Sequence, residues 1–160
     1  MELMLHCGAQ EATHQDLAAV PVPEVTNSYC PVTHDDLAKM LADMGQSILS
    51  GFELSKSQFG LSKDGQQLFG IHTFNNGRSD LGLSIGFRNS YDKTLSVGIA
   101  VGASVFVCDN LALTGDITVM RKHTLNVQSD LEQLAVTSIL KARTAFTQVS
   151  EDAEKMKELP

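Results

Sequence analysis

Two periods divide the chain. From Thr33 to Ser50 the apolar positions Leu37, Met40, Leu41, Met44 and Ile48 recur three or four residues apart, which puts them on one stripe of a helix. Thr33 is placed to cap this helix, its hydroxyl accepting from a backbone amide near Asp36. Asp35 and Asp36 suit the positive end of the helix dipole. Gly51 marks the end. From Phe52 the period falls to two, and strands are expected at about 52–61, 67–74, 81–88, 95–107 and 112–122. Lys63-Asp64-Gly65 and Asn75-Asn76-Gly77 carry residue types that tolerate tight hairpin turns. Ser129-x-x-Glu132 has the form of a capping box, with Val127 as its staple. It predicts a second helix to about residue 149 that buries Leu131, Leu134, Ile139 and Phe146.

The order helix, five strands, helix argues for an α+β fold: a curved antiparallel β-sheet of about five strands with a helix before and after it, packed on one face. Residues 1–30 read as an N-terminal arm with a short helix between Glu11 and Val20, capped by Thr13 and stopped by Pro21-Val22-Pro23. Residues 31–150 read as a single domain and 151–160 as a charged tail. In the third strand Leu81, Leu83, Ile85 and Phe87 line one face, and Gly82, Ser84, Gly86 and Arg88 the other. The fourth strand repeats the contrast with Gly98, Ala100, Gly102 and Ser104. So smooth a face implies close cover by another element, for which a helix is expected, or else a shallow trough open to a ligand.

Charge sharpens this picture. The chain of 160 residues carries a formal net charge of −7. Residues 78–124 hold five Lys/Arg against four Asp/Glu, which leaves −8 on the flanks. A protein that coats duplex nucleic acid indiscriminately is thereby disfavoured, while a locally basic sheet edge is not. Cys7, Cys30 and Cys108 are odd in number and far apart, unlike a secreted disulfide framework. The first residues lack the basic-then-apolar pattern of a signal peptide, and the apolar run 97–107 is too short to span a bilayer. The expected setting is the reduced bacterial cytoplasm, with no membrane partner.

Three polar clusters interrupt the strands, and each is expected where a strand ends. Arg88, Asn89, Ser90 and Lys93, with Asp92 in support, offer donors suited to phosphate, though the same residues could form an ordinary turn. Arg121, Lys122 and His123 close the last strand. If the strands follow in hairpin order, the third and fifth run parallel, and Arg88, Lys93, Arg121, Lys122 and His123 share one rim. Cys108, Asp109 and Asn110 form the remaining cluster. A nucleophilic Cys108 needs a base such as His123 beside it; the alternative is turn chemistry. His6, Cys7, His14, Cys30 and His34 are metal-ligand types without the paired spacing of a zinc site, so no metal is expected. No phosphate loop, nucleotide-binding glycine fingerprint or paired-carboxylate motif is present, and no cofactor is expected.

Gly86-Phe87-Arg88-Asn89-Ser90-Tyr91-Asp92-Lys93, then Val105-Phe106-Val107-Cys108-Asp109-Asn110-Leu111, then Arg121-Lys122-His123-Thr124, together resemble the phage/plasmid-like family, a mobile-element domain of unknown function. Pro31-Val32-Thr33-His34, Leu61-Ser62-Lys63-Asp64-Gly65, Phe69-Gly70, Gly8-Ala9 and Pro21-Val22-Pro23 fit the same pattern, so the resemblance covers roughly residues 6 to 135. Family members generally continue through further helices, which makes this chain a short or C-terminally truncated form. The resemblance implies a phage or plasmid origin and no particular activity. The function expected is that of a non-enzymatic accessory protein that binds nucleic acid, single-stranded rather than duplex, in recombination or replication. Phe87, Tyr91 or Phe106 would stack on bases. One alternative is an inhibitor of a host defence protein, acting through an acidic surface. Another is a protein that binds a small nucleotide or phosphate ester. An unpaired sheet edge would allow a homo-oligomer.

Overall fold

The computed structural model describes residues 2–77 and 82–158, of which the side chains at 149, 150, 153 and 158 are not described. The strands are β1 (Glu2–Met4), β2 (Gln10–Ala12), β3 (Glu53–Ser62), β4 (Gln67–Asn75), β5 (Leu83–Ser90), β6 (Val97–Gly102), β7 (Phe106–Cys108), β8 (Leu113–Thr114) and β9 (Ile117–Arg121). The helices are α1 (His14–Ala19), α2 (His34–Ile48) and α3 (Val127–Glu158). The fold is α+β. Its main sheet is six-stranded and open, in the order β2-β3-β4-β5-β6-β9, and every neighbouring pair is antiparallel. A smaller sheet in the order β1-β7-β8 lies on one side of it.

Alternation decides which face each strand residue serves. Leu83, Ile85 and Phe87 of β5 join Val97, Ile99 and Val101 of β6 and Leu68 and Phe74 of β4 in the larger core. Leu37, Ala38 and Leu41 of α2 close that core, with Val127, Leu131, Ala135, Ile139, Ala142 and Phe146 of α3. The stripe on α3 steps by four, four, four, three and four residues, the spacing that keeps one helical face on the sheet. Leu134, expected in this core, is only half-buried.

The smooth face is covered, but not by a helix. After β6 the chain doubles back, and Val105, Val107 and Leu113 form a second core with Phe69, Ile71, Leu95 and Ala100. A Cβ on Gly86 would stand 2.6 Å from Val107 Cγ2 and 2.7 Å from Val105 Cγ1. Those two valines stand where a side chain at position 86 would have to go. The expected fourth strand, 95–107, is therefore β6 and β7 with a reversal between them. The expected fifth, 112–122, is β8 and β9. A continuous alternating pattern hides such a reversal because each half retains a buried face.

Several local expectations also change. Glu11 and Ala12 belong to β2, and α1 starts at His14 with a full capping box, Thr13 Oγ1 accepting from the Asp16 amide and Asp16 Oδ2 from that of Thr13. At α2 the Thr33 hydroxyl makes no backbone cap and instead donates to the Asp36 carboxylate. Gly51 takes φ +84 just beyond that helix, as expected of a terminator. The proposed box at Ser129 does not form. α3 begins at Val127, whose side chain is fully buried, and Glu132 accepts from Gln128 instead. α3 then runs unbroken through 32 residues, about 48 Å at the helical rise. Residues 151–158 of the expected tail are its last turns. Leu81 and the connection at 78–80 lie outside the described residues.

Gly86→Ala tests the close approach. It should destabilise the fold by about 1–3 kcal/mol in urea unfolding, because two branched side chains must move for one methyl. An unchanged midpoint would mean that the small sheet is not seated as described.

Candidate anion-binding site

β5 continues two residues past its expected end, so Asn89 and Ser90 are strand residues, both buried, rather than part of a loop. The physical reason is Asn89. Its Nδ2 donates to the Val32 carbonyl at 2.6 Å and to His34 Nδ1 at 3.0 Å. Its Oδ1 accepts from His123 Nε2 at 2.7 Å. With Nδ1 an acceptor, His34 Nε2 donates to the Gly65 carbonyl at 2.9 Å. His34 also stacks on Tyr91 with ring centroids 3.8 Å apart, and its backbone amide donates to the Tyr91 hydroxyl. One carboxamide thus joins the start of α2, the end of β5 and the link from β9 to α3.

Burial holds both imidazoles neutral. It depresses the His34 pKa to about 4 against a partly opposing bond to the Gly65 carbonyl, and it lowers that of His123 as well. His72 is similar: burial takes it to about 4, although its Nε2 donates to the Ala38 carbonyl. His123 is therefore a hydrogen-bonding group and not one of the rim's cations.

On the outer side of this network lies a depression of about 370 Å³ lined by Ser28, Tyr29, Lys93, Thr94, Leu95, Ser96, Lys122, His123 and Thr124. No carboxylate among the described residues lines it. Lys93 Nζ sits 4.7 Å above the Tyr29 ring centroid, and Tyr29 lies against His123. Tyr29 is only 6% exposed, yet its hydroxyl has no hydrogen-bond partner among the described residues. Burial raises the tyrosine's pKa, with the Asp92 charge adding to the effect. The hydroxyl therefore stays protonated, a donor in want of an acceptor. Asp92 itself is occupied by the amide and hydroxyl of Thr94.

The sheet order makes β5 and β9 parallel, through β6, and their C-terminal ends share an edge. Of the five residues expected at one rim, Lys93, Lys122 and His123 line the depression. Arg88 does not: it points to the small-sheet face, where it donates to the Leu111 carbonyl and toward the Met120 sulfur, with a buried Nε unpaired. Arg121 is exposed and donates to the Met120 carbonyl. The Ser90 hydroxyl is spent on the backbone of Leu95.

Cys108, Asp109 and Asn110 lie at the end of β7, across the main sheet from His123, so His123 cannot serve Cys108 as a base. Cys108 contacts His6, and Asn110 accepts from the Ala112 amide as a turn residue does. Phe87 and Tyr91 are buried and offer no surface to a base; Phe106 is half-buried in the small sheet. Ser28, Tyr29, Thr94, Leu95, Ser96 and Thr124 are the lining residues that sequence patterning did not place in the site. Tyr29 comes from the arm and is brought here by the Cys30 amide bonding the His123 carbonyl, which no local pattern announces. Comparison of the chain with protein-family models, with curated proteins and with solved structures gives no match.

Two measurements check the network. Asn89→Ala leaves the His123 donor, the Val32 carbonyl and His34 Nδ1 unpaired in the interior, and should cost at least about 3 kcal/mol of stability in urea. The histidines predict a pH dependence. The unfolded chain takes up protons near pH 6.5 and the folded chain only near 4, so stability falls with pH through that window. At pH 5 His34 and His72 together should remove on the order of 4 kcal/mol relative to pH 7. A flat profile between pH 7 and 5 contradicts their burial as neutral rings.

Proposed function

We propose that this protein is a non-enzymatic phage or plasmid accessory protein that holds a phosphate of single-stranded nucleic acid between Tyr29, Lys93 and Lys122. The Tyr29 hydroxyl carries the reading: it is a buried donor without a partner among the described residues, on a residue that lines the depression where two lysines supply charge. The surrounding hydroxyls of Ser28, Ser96 and Thr124 extend the donor set. With Phe87 and Tyr91 enclosed, contact is through phosphate rather than base stacking, and the net charge of −7 disfavours the denser charge of a duplex. A mononucleotide or phosphate ester would meet the same donors. A second reading, a surface that occupies a basic groove on a host defence protein, is favoured by the exposed acids Asp36 and Asp43 of α2 and Asp130 and Glu132 of α3.

Fluorescence anisotropy with a 5′-phosphorylated single strand, a duplex and a competing mononucleotide separates these readings. Single-strand binding should weaken with salt, and Lys93→Ala and Lys122→Ala should each weaken it roughly tenfold. Tyr29→Phe should lose affinity without losing salt dependence, while Arg88→Ala, on the other face, should change neither. Displacement by equimolar mononucleotide assigns the site to small phosphate esters. Absence of binding at low salt refutes the phosphate reading and leaves the acidic surface.

A further inference from the structure

A second cluster of chemistry lies on the far side of the main sheet. The N-terminal loop after β1 carries His6 and Cys7, and the end of β7 carries Cys108 and Asp109. The Asp109 carboxylate anchors this loop: Oδ1 accepts from the His6 amide at 3.1 Å, and Oδ2 from those of Cys7 and Ala9 at 2.8 and 3.0 Å. The anchor presents the His6 ring to the buried Cys108 sulfur, which stands 3.6 Å from Nδ1 and 3.8 Å from Nε2. The same sulfur is 3.8 Å from Asp109 Oδ1.

One donor atom each from His6, Cys108 and Asp109 lie within 4.8 Å of one another. Around a tetrahedral zinc ion, with bonds of about 2.3 Å to sulfur and 2.0–2.1 Å to nitrogen or oxygen, neighbouring ligand atoms stand ~3.5 Å apart. The observed sulfur–nitrogen and sulfur–oxygen separations are within a few tenths of an ångström of that edge. Asp109 Oδ1 accepts only one amide and retains a lone pair on the side of Cys108. Two of the donors are buried while His6 is exposed, so the cluster is supported from within and open to solvent at one ligand. We propose that His6, Cys108 and Asp109 form a divalent transition-metal site, best suited to zinc, that fastens the N-terminal loop to the small sheet.

Imidazole, thiolate and carboxylate together select zinc over magnesium or calcium, which prefer all-oxygen shells. Binding replaces the Cys108 thiol proton with the metal, and that proton leaves to solvent, so affinity should rise with pH. The fourth position is left to water. The site is independent of the phosphate reading, since none of its three residues lines the depression.

The test is cobalt(II) titration of the fully reduced chain, followed by displacement with zinc. One equivalent should produce thiolate-to-cobalt absorption in the near ultraviolet together with the visible bands of a tetrahedral ion. His6→Ala, an exposed substitution that leaves the core alone, should weaken binding at least about tenfold and remove the rise in melting temperature that zinc gives the parent. Cys108→Ser, with its fold checked by circular dichroism, should lose the thiolate band, whereas Cys30→Ser should retain it. The site is overturned if the parent shows no thiolate band. It is equally overturned if the band survives in Cys108→Ser, or if His6→Ala binds as tightly as the parent.

Discussion

The carboxamide of Asn89 is the interaction on which the arrangement of helices depends. An amide has donors on one side and an acceptor on the other, and here each is matched to a group that would otherwise be buried unpaired: the Val32 carbonyl, His34 Nδ1 and His123 Nε2. Apolar packing alone would let α2 and α3 slide on the sheet, because dispersion contacts are non-directional. The network fixes their starting points to one strand end. It also accounts for the burial of His34, His123 and Tyr91 at this strand end. The depression that takes the proposed ligand is the outer wall of this same hub, so its geometry is set from within the core.

On the other face the governing constraint is distance. Glycines at 86 and 98 let the returning chain approach until Val105, Val107 and Leu113 fill the space that side chains would occupy. The central strands β4, β5 and β6 are thereby buried on both faces, by helices on one and by a second sheet on the other. Such cover holds Arg88 in place against the β7–β8 turn, which turns a residue of apparent phosphate-binding type into a structural clamp.

Much of the fold was legible because it rests on local periodicity. The stripe Leu37, Leu41 of α2, the hairpin at Lys63-Asp64-Gly65 and the parallel relation of β5 and β9 all follow from spacing and connection length. What was not legible depended on contacts between distant segments. The reversal after Gly102 preserves alternation, so 95–107 reads as one strand. Asn89 reads as a turn residue because polar groups seldom end a strand facing a core, and only the presence of His34 and His123 there makes it favourable. Lys93, Lys122 and His123 were found as cations and an imidazole near one edge. Tyr29 was not, because its position is decided by the fold of the first thirty residues. Neither could the meeting of His6 with Cys108 be read, since no spacing rule connects residues so far apart.

That last separation has a further meaning in time. β1 pairs in parallel with β7, Leu3 opposite Val107, so this strand has no partner until about a hundred residues beyond it have been made. At ribosomal speeds of roughly 5–20 residues per second the wait is on the order of 5–20 seconds, far longer than helices or hairpins take to form. The helix α2 and the hairpin β3–β4 can be complete while β1 is still unpaired. β1 is thus made before these elements and docked after them, and its docking completes the small sheet.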